Sequence, residues 1–144
     1  MNMPLCGTFK PSVDVKGRMS FPNKLREILG AEFYLCAGHE KNYIAVYSVD
    51  EFYRYCAKLN EITGEIGSEI RRELLAGADR QSPDKQGRIF ISQLLRDYAG
   101  ITAGEVTVIG NMNRAEIWNS EKLAECRRNV DQAARKAALT NLVL

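Results

Sequence analysis

The chain changes repeatedly between strand-like and helix-like hydrophobic patterns, most clearly between positions 18 and 30. Polar and apolar residues alternate over residues 18–21, which is typical of a half-buried strand. Apolar residues then recur at positions 25, 28 and 29, the spacing of one helix face. Pro22 suits the first turn of that helix, Asn23 is a good cap, and Gly30 suits its end. This stretch therefore predicts a strand followed by a short helix.

The same two patterns predict the remaining elements. Further strands are expected at residues 8–10, 33–36, 44–47, 88–91, 106–109 and 115–118. Two further helices are expected in the first half of the chain, one after a cap at Ser48 or Asp50 and one over 66–78, beyond the break at Thr63-Gly64. Two more are expected in the second half, one between Ser92 and Gly100 and one after a cap at Asn119 or Ser120. The last helix carries an apolar seam from Leu123 to Ala137. Each half of the chain is therefore predicted as turn, strand, helix, strand, strand and helix, and the predicted class is α+β.

One stretch of the chain occurs twice. Residues 14–18, Asp-Val-Lys-Gly-Arg, return 70 residues later as Asp-Lys-Gln-Gly-Arg at 84–88. The identical pairs at this spacing are Asp14/Asp84, Gly17/Gly87, Arg18/Arg88, Leu25/Leu95, Arg26/Arg96 and Gly30/Gly100. Matches in one register indicate an internal duplication. Because one copy can scarcely bury its own apolar face, we expect two copies packed about a pseudo-twofold axis, as in a fused dimer.

The repeated motif predicts a tight turn. Asp14 and its counterpart Asp84 can accept hydrogen bonds from the amides that follow them. Gly17 and Gly87 supply a positive φ without steric cost. The arginine that ends each turn has three possible roles: it pairs with the aspartate, it is solvated, or it contacts phosphates or bases of nucleic acid.

Composition is that of an ordinary globular protein, with 45% hydrophobic and 26% charged residues in a chain of 144. The net charge of +2 does not by itself indicate a nucleic-acid partner. Its distribution is more informative, since residues 1–30 carry a local charge of +3 and residues 50–79 a local charge of −3. This asymmetry predicts a basic surface on the first copy and an acidic element elsewhere.

Several classes of protein are disfavoured by the sequence. No apolar run approaches the roughly 20 residues that span a bilayer, and residues 1–4 resemble no signal peptide. We therefore expect a cytoplasmic protein with no membrane partner. The four cysteines form no C-x-x-C pair and His39 is the only histidine, so neither a metal site nor a cofactor is expected. The apolar neighbours of the cysteines favour buried thiols over a redox switch.

Catalysis is disfavoured for similar reasons. The P-loop, nucleophile-elbow and zinc-protease motifs are missing from the sequence. Asp14 and Asp84 each have a neighbouring arginine that favours the ionised carboxylate, the wrong direction for a general acid. We therefore expect that this protein is not an enzyme. The aromatic residues 52, 53 and 55 could stack on bases, but their helical spacing favours packing within the protein.

The motifs together resemble the MraZ family of bacterial transcriptional regulators. Residues 14–22 and 84–91 look like the two D-x-x-x-R motifs of that family, and residues 71–78 and 108–118 are similar as well. The resemblance implies two SpoVT/AbrB-type domains that interlock as a tandem swapped-hairpin β-barrel pseudo-dimer with flanking helices. The implied boundaries are 5–48 for the first domain, 49–79 for a helical linker, 80–122 for the second domain, and 120–144 for a C-terminal helix and tail.

The resemblance also implies a function. Members of the family form closed rings and bind short direct repeats upstream of the division and cell-wall gene cluster, usually repressing it. For this chain it implies double-stranded DNA and further copies of itself as partners, at the nucleoid. The implied DNA-binding residues are Lys10, Lys16, Arg18, Lys24, Lys85 and Arg88, and the turn-forming residues are Asp14, Gly17, Asp84 and Gly87.

The second copy departs from the family pattern. Ser92 replaces a proline expected after its strand, and Ser82-Pro83 replaces a more apolar strand. Residues 5–7, Leu-Cys-Gly, also replace the usual aromatic-basic start. We therefore expect the first copy, with Lys10 and Lys24, to be the main DNA reader. The alternative is an oligomeric scaffold that binds a protein through its helices and touches DNA only nonspecifically.

Overall fold

A computed structural model describes residues 3–143. Its strands are β1 Thr8–Phe9, β2 Ser12–Val13, β3 Arg18–Ser20, β4 Phe33–Ala37, β5 Ile44–Ser48, β6 Asp79–Gln81, β7 Arg88–Phe90, β8 Gly104–Glu105, β9 Thr107–Asn111 and β10 Arg114–Trp118. Its helices are α1 Asn23–Leu29, α2 Val49–Leu59, α3 Gly64–Leu75, α4 Gln93–Ala99, α5 Ser120–Arg128 and α6 Gln132–Thr140. The α+β class is confirmed.

The strands form two antiparallel sheets. The larger sheet has the order β1-β9-β10-β5-β4-β6, and the smaller has the order β7-β3-β2-β8. Within residues 3–143 neither sheet closes on itself, so the swapped-hairpin barrel is not confirmed. In the larger sheet, β1 and β6 occupy the two edges, β9 and β4 lie inside them, and β10 and β5 meet at the centre. This order mirrors the two copies of the sequence repeat.

The strand registers define the pseudo-twofold axis. Met19 of β3 lies opposite Ile89 of β7, and these two residues are exactly equivalent in the repeat. On either side, the amide of Phe21 donates to the carbonyl of Gly87 at 3.0 Å, and the amide of Ile91 donates to the carbonyl of Gly17 at 2.7 Å. Each bond is the counterpart of the other under the repeat. The two copies are therefore joined reciprocally through the ends of their duplicated turns.

The larger sheet separates two apolar clusters. Alternate residues of β5 face opposite sides, with Ile44 and Val46 in the main core and Ala45 and Tyr47 in the second cluster. The main core also holds the inner residues of the smaller sheet and of α1 and α4. The second cluster receives Phe52 from α2 and residues of α5. The main core is thus shared by both copies.

A buried polar network lies on the second face of the larger sheet. The carboxylate of Glu116, which is 4% exposed, accepts hydrogen bonds from Trp118 Nε1 at 2.9 Å, Arg114 Nε at 2.8 Å and Asn111 Nδ2 at 3.1 Å. Arg114 also pairs with Glu40. Burial lowers the pKa of Arg114, but the hydrogen bond to Glu116 and nearby charges outweigh that effect and raise it. The paired charges compensate each other inside the fold.

Most of the predicted helix caps and helix ends are confirmed. The hydroxyls of Ser48 and Ser92 accept amide hydrogen bonds at the starts of α2 and α4, and Asn119 does the same for α5. Gly100 ends α4 in the left-handed conformation with φ 67°. The predicted cap at Asn23 is wrong, because Pro22 holds the cap position and Asn23 is the first helical residue.

The single long C-terminal helix is also a wrong prediction. The chain breaks after Arg128 and starts a new helix, α6, whose cap Asp131 accepts a hydrogen bond from the Ala134 amide at 3.1 Å. A capping side chain competes with continued helix at this point. Leu123 is buried, but no residue of α6 is buried. Within the predicted seam, Leu123 and the half-buried Cys126 pack against the second apolar cluster, while the residues from Val130 to Ala137 lie on the surface. Leu144 lies outside the described residues.

The strands β2, β6 and β8 were not predicted. β6 is the repeat counterpart of the edge strand β1, whereas β8 lies where the repeat is irregular. Seven residues join α4 to β9 where three join α1 to β4, and β8 forms within the longer connection. Two residues join β9 to β10 where six join β4 to β5. The two differences cancel, so the spacing of 70 residues returns at β10. Pro83 has no amide hydrogen to donate to a ladder, and no strand forms at residues 82–83.

The outcome of the predictions for the cysteines and the aromatic residues differs from residue to residue. Cys36 is buried, and burial followed by the neighbouring Cys56 raises the pKa of its thiol to about 12. Cys6 is exposed, so the prediction of a buried thiol is wrong there. Phe52 stacks on the Tyr34 ring at 4.0 Å between centroids, which confirms packing for that aromatic residue.

Candidate nucleic-acid interface

The first duplicated turn is closed by a single aspartate. Oδ1 of Asp14 accepts hydrogen bonds from the amides of Lys16 at 3.0 Å and Arg18 at 2.9 Å. Its Oδ2 accepts a hydrogen bond from Arg18 Nε at 2.8 Å. The Gly17 amide donates to the Asp14 carbonyl at 3.0 Å, and Gly17 has φ 96°. Asp14 and Gly17 thus build the turn.

The second turn repeats this geometry. Oδ1 of Asp84 accepts from the amides of Gln86 and Arg88, both at 2.9 Å, and its Oδ2 accepts from Arg88 Nε at 3.0 Å. Gly87 has φ 77° and its amide donates to the Asp84 carbonyl at 2.9 Å. The same five-residue motif therefore gives the same hydrogen bonds in both copies, although the residues between Asp and Gly differ.

These bonds also fix the charge state of the aspartates. The Arg18 amide contributes most to holding the pKa of Asp14 below its ordinary value, followed by the Arg18 side chain and the Lys16 amide. Asp84 has a lowered pKa for the same reasons, with the Arg88 amide contributing most. Both carboxylates are ionised at neutral pH and can hold a guanidinium in place.

Each arginine is held at one nitrogen only. Within residues 3–143 the side chains of Arg18 and Arg88 make their hydrogen bonds through Nε, to Asp14 and Asp84. The Nη1 and Nη2 groups of both arginines are left for other partners. Pairing within the turn and contact with an external acceptor are therefore compatible, because a guanidinium has five N–H donors in a fixed plane.

The two arginines share one surface of the smaller sheet. In the β3–β7 ribbon, Arg18 lies opposite Phe90 and Ser20 lies opposite Arg88. The central residues Met19 and Ile89 point inward and are buried, so their neighbours on each strand point outward. Side chains of opposed residues in antiparallel strands lie on the same face. We call these four outward residues, Arg18, Ser20, Arg88 and Phe90, the ribbon face.

Arginines from α1 and α4 cross to the opposite copy. A Cβ placed on Gly17 would lie 3.0 Å from the Arg96 guanidinium, and one on Gly87 would lie 2.8 Å from Arg26 Nη1. The Arg96 Nε group donates to the Ile91 carbonyl at 2.9 Å. Each turn thus has its own arginine and one from the other copy beside it. These two residues were not predicted as site residues, although their identity across the repeat was a visible signal.

The predicted lysines are distributed unevenly. Lys16 and Lys85 are exposed within the two turns and stand beside the arginines that end them. Lys10 is exposed between β1 and β2. Lys24 is exposed in the first turn of α1, two residues before Arg26, and residues two apart on a helix do not face the same side. The structure therefore brings two predicted lysines to the turns and leaves two outside them.

Two other kinds of site receive no support from the described part of the chain. Across residues 3–143, no three side chains of the metal-binding types converge closely enough to hold an ion. None of the helices in the same range combines the length and the apolar character of a membrane span.

The fold and the two turns define a class of protein, a duplicated α+β chain that folds about its own pseudo-twofold axis and displays matched cationic turns. A family model described as "MraZ protein, putative antitoxin-like" matches residues 5–67 and 74–143. The chain belongs to the MraZ family.

Named relatives agree with this assignment. The chain is 40% identical over 121 residues to the "Transcriptional regulator MraZ" of Bifidobacterium longum, covering 81% of this chain and 78% of that protein. It is 42% identical over 121 residues to the protein of the same name from Corynebacterium jeikeium, covering 83% of each. It is 39% identical over 138 residues to that of Caldicellulosiruptor saccharolyticus, covering 92% of this chain and 95% of the relative.

Proposed function

We propose that this protein is a DNA-binding transcriptional regulator and not an enzyme. The observation that carries the proposal is the pair of matched Asp–Arg turns, which present two guanidinium groups on one solvent-facing ribbon across a pseudo-twofold axis. Its relatives are named transcriptional regulators, which supports the same role.

The geometry suits a DNA duplex. A duplex is itself pseudo-twofold, so a protein with two equivalent contacts can engage both strands alike. Arg18 and Arg88 are diagonal neighbours on the ribbon, a relation that places such residues roughly 7–8 Å apart. That separation is about two base-pair steps of roughly 3.4 Å each. The major groove admits a two-stranded ribbon, and arginine binds guanine there through two nitrogens.

Each residue of the site has a proposed role. Asp14 and Asp84 hold the arginines by Nε, so their Nη groups face the groove in a fixed orientation. Lys16 and Lys85 contact the phosphates that flank the ribbon, where they position the protein without reading sequence. Lys10 and Lys24 add positive charge to the first copy and contribute to attraction over longer distances. The first copy is the more basic of the two, and we propose that it contributes more to affinity.

The substitution Arg18→Ala tests the site. We expect it to weaken binding to a cognate duplex about tenfold or more, because a bidentate base contact contributes about 1–3 kcal/mol. Arg54→Ala is the matched control, since Arg54 is exposed, is paired with Glu51 and carries the same charge, and light scattering first checks that both variants assemble as wild type does. Affinities are measured by fluorescence anisotropy over a series of salt concentrations. Equal affinities for Arg18→Ala and Arg54→Ala would refute the assignment of Arg18.

The target follows from the family resemblance. We propose that the protein represses the division and cell-wall gene cluster by binding short direct repeats, at the nucleoid in the cytoplasm. A footprint on the DNA upstream of the protein's own gene tests this directly. Protection of repeated short elements is the expected result. Equal affinity for this DNA and a scrambled duplex at physiological salt would instead favour an oligomeric scaffold with nonspecific DNA contact.

We further propose that copies of the chain assemble into a ring through α6. None of the residues of α6 is buried, and Leu139 and Leu142 are 50% and 63% exposed. A cavity of about 490 Å³ between α2 and α3 has apolar walls that include Ile62 and Ile70. Residues 50–79 carry a charge of −3, whereas residues 127–143 carry +3. Opposite charge and matched apolar surface favour α6 of one copy on α2 and α3 of the next.

Such a contact joins two different surfaces and is repeated from copy to copy, so it closes into a ring when the rotation allows it. Several ribbon faces on one ring would sum individually weak contacts with repeated DNA sites. Leu139→Glu is expected to lower the subunit count measured by light scattering. Met112→Glu is the control, since Met112 is 68% exposed in the turn between β9 and β10, outside both α6 and the surface of α2 and α3. An unchanged mass for Leu139→Glu would refute this interface.

A further inference from the structure

The ribbon face is symmetric in its arginines but not in its other two residues. The repeat relates Arg18 to Arg88 and Ser20 to Phe90. Around the axis at Met19, the arginines therefore occupy one diagonal of the ribbon face, and a serine and a phenylalanine occupy the other. The scaffold is the same on both sides of the axis, while the side chains offered beside the two arginines differ in size and polarity.

Phe90 is a large apolar side chain held in solvent. It is 48% exposed although its strand neighbour Ile89 is only 2% exposed. Because Arg18 lies directly opposite, the side chains of the two residues leave neighbouring positions on the ribbon face. A single exposed apolar residue is common on proteins. Its position beside both arginines, on the surface proposed to enter a groove, is what makes this residue informative.

The backbone of Phe90 is fixed on its outer edge. The Phe90 amide donates to Gln81 Oε1 at 2.8 Å, and Gln81 Nε2 donates to the Phe90 carbonyl. The smaller sheet has β7 as its edge strand, so these groups would otherwise lack a sheet partner. The repeat counterpart of Gln81 is Pro11, which cannot make this pair. The second copy therefore has a device, missing from the first, that holds residue 90 on a rigid strand.

The chemistry of this position matches a feature of DNA. In the major groove, thymine presents a 5-methyl group that apolar side chains such as phenylalanine contact, whereas a serine hydroxyl accepts or donates hydrogen bonds to several bases. An apolar ring beside a guanine-reading arginine would prefer a thymine next to that guanine. Ser20, at the equivalent position on the other side of the axis, would give no preference for thymine.

We propose that Phe90 is a specificity-determining residue that contacts a thymine methyl group, so that a pseudo-symmetric scaffold reads an asymmetric DNA sequence. This inference rests on the proposed DNA-binding function. It adds that the preferred sequence differs between the two sides of the axis and that Phe90 against Ser20 is the cause.

The test begins with a library of DNA duplexes that have a randomised central segment. Wild-type protein and Phe90→Ser, which copies the first copy of the repeat into the second, are used in separate selections. Tyr53→Ser is the matched control, because Tyr53 is 53% exposed on α2 and is not part of the ribbon face, and light scattering checks that this variant assembles as wild type does. We expect wild type and Tyr53→Ser to select the same asymmetric sequence with a thymine on one side. Phe90→Ser is expected to lose that thymine preference.

A second measurement isolates the methyl group. In the duplex selected by wild type, each thymine is replaced in turn by uracil, which lacks only the 5-methyl group. One replacement is expected to weaken wild-type binding about fourfold, the value for one buried methyl-sized group, and to leave Phe90→Ser unaffected. If wild type selects no sequence, both the proposed function and this inference fail. If wild type selects a sequence but uracil scanning finds no thymine whose effect depends on Phe90, this inference alone fails.

Discussion

Replacing Gly17 and Gly87 by alanine, one at a time, distinguishes two contributions to stability. One is the backbone conformation of the duplicated turns, and the other is the contact of the new Cβ with the atoms around each glycine. Both glycines have positive φ, 96° and 77°, which costs a residue with a Cβ about 1–2 kcal/mol. Alanine also reduces the freedom of the unfolded chain, which offsets about 0.4–1 kcal/mol. These two effects apply to both positions and leave a net loss of about 1 kcal/mol for each substitution.

The surroundings of the two glycines differ. An alanine Cβ at position 17 would lie 2.6 Å from the carbonyl oxygen of Ile91, a backbone atom that cannot move without its strand. That carbonyl accepts from Arg96 Nε, and the Ile91 amide donates to the carbonyl of Gly17 at 2.7 Å. At position 87 the nearest atom is Arg26 Nη1 at 2.8 Å, the far end of a flexible side chain. Only Gly17→Ala therefore strains the junction between the copies.

Two strained hydrogen bonds at about 1 kcal/mol each raise the expected loss for Gly17→Ala to about 3 kcal/mol, against about 1 kcal/mol for Gly87→Ala. The free energy of unfolding is measured by urea titration at one fixed protein concentration, since assembly also affects stability. Trp118, the only tryptophan, supplies the fluorescence signal. A loss for Gly87→Ala equal to or larger than that for Gly17→Ala would refute this reasoning.

Three further predictions follow from the polar groups and thiols. Since the pKa of Asp84 is lowered on folding, its contribution to stability is full above the unfolded-state pKa of about 3.9 and disappears as the pH falls through the folded-state pKa. The stability difference between wild type and Asp84→Asn, measured by thermal unfolding, should therefore be constant near neutral pH and shrink in acid, and a difference that grows in acid would contradict this. Cys6 should react with iodoacetamide at neutral pH while Cys36 stays unmodified until the protein unfolds, as judged by mass spectrometry of peptides; equal labelling of both thiols in the folded protein would be the contrary result. Glu116→Gln should cost about 3 kcal/mol, because it removes the buried carboxylate that pairs with Arg114 and leaves only the exposed Glu40 as its charged partner, and a loss below 1 kcal/mol in urea titration would show that the pair is not needed.

The elements that were predicted well depend on contacts between residues close in the chain. The turn at Asp14 is closed by hydrogen bonds to residues two and four positions away. The caps at Ser48 and Ser92 accept from amides three positions away. Such signals are complete within a short window, so their residue types suffice to predict them. The cap at Asn23 was wrong by one residue, since the helix begins at Asn23 and Pro22, which has no side-chain acceptor, occupies the cap position.

Only part of the candidate site could be predicted from the sequence. Asp14, Arg18 and their counterparts were recognised from the motif, and their pairing was one of the interpretations left open. The crossing of Arg26 and Arg96 to the opposite turns was not predicted, because it depends on how the two copies pack. The exposed Phe90 was not predicted as part of the site either, since its partner across the ribbon is 72 positions away, at Arg18.

By itself, the sequence determined that the chain is duplicated, that each copy carries an aspartate-closed turn with an arginine at its end, and that strands and short helices alternate. Only the tertiary structure decided that β3 pairs with β7 at Met19 and Ile89, which places both arginines on one face. The physical reason is that the register between distant strands is set by burial of one face, and a shift of one residue would turn every side chain to the other side. No local pattern contains that information.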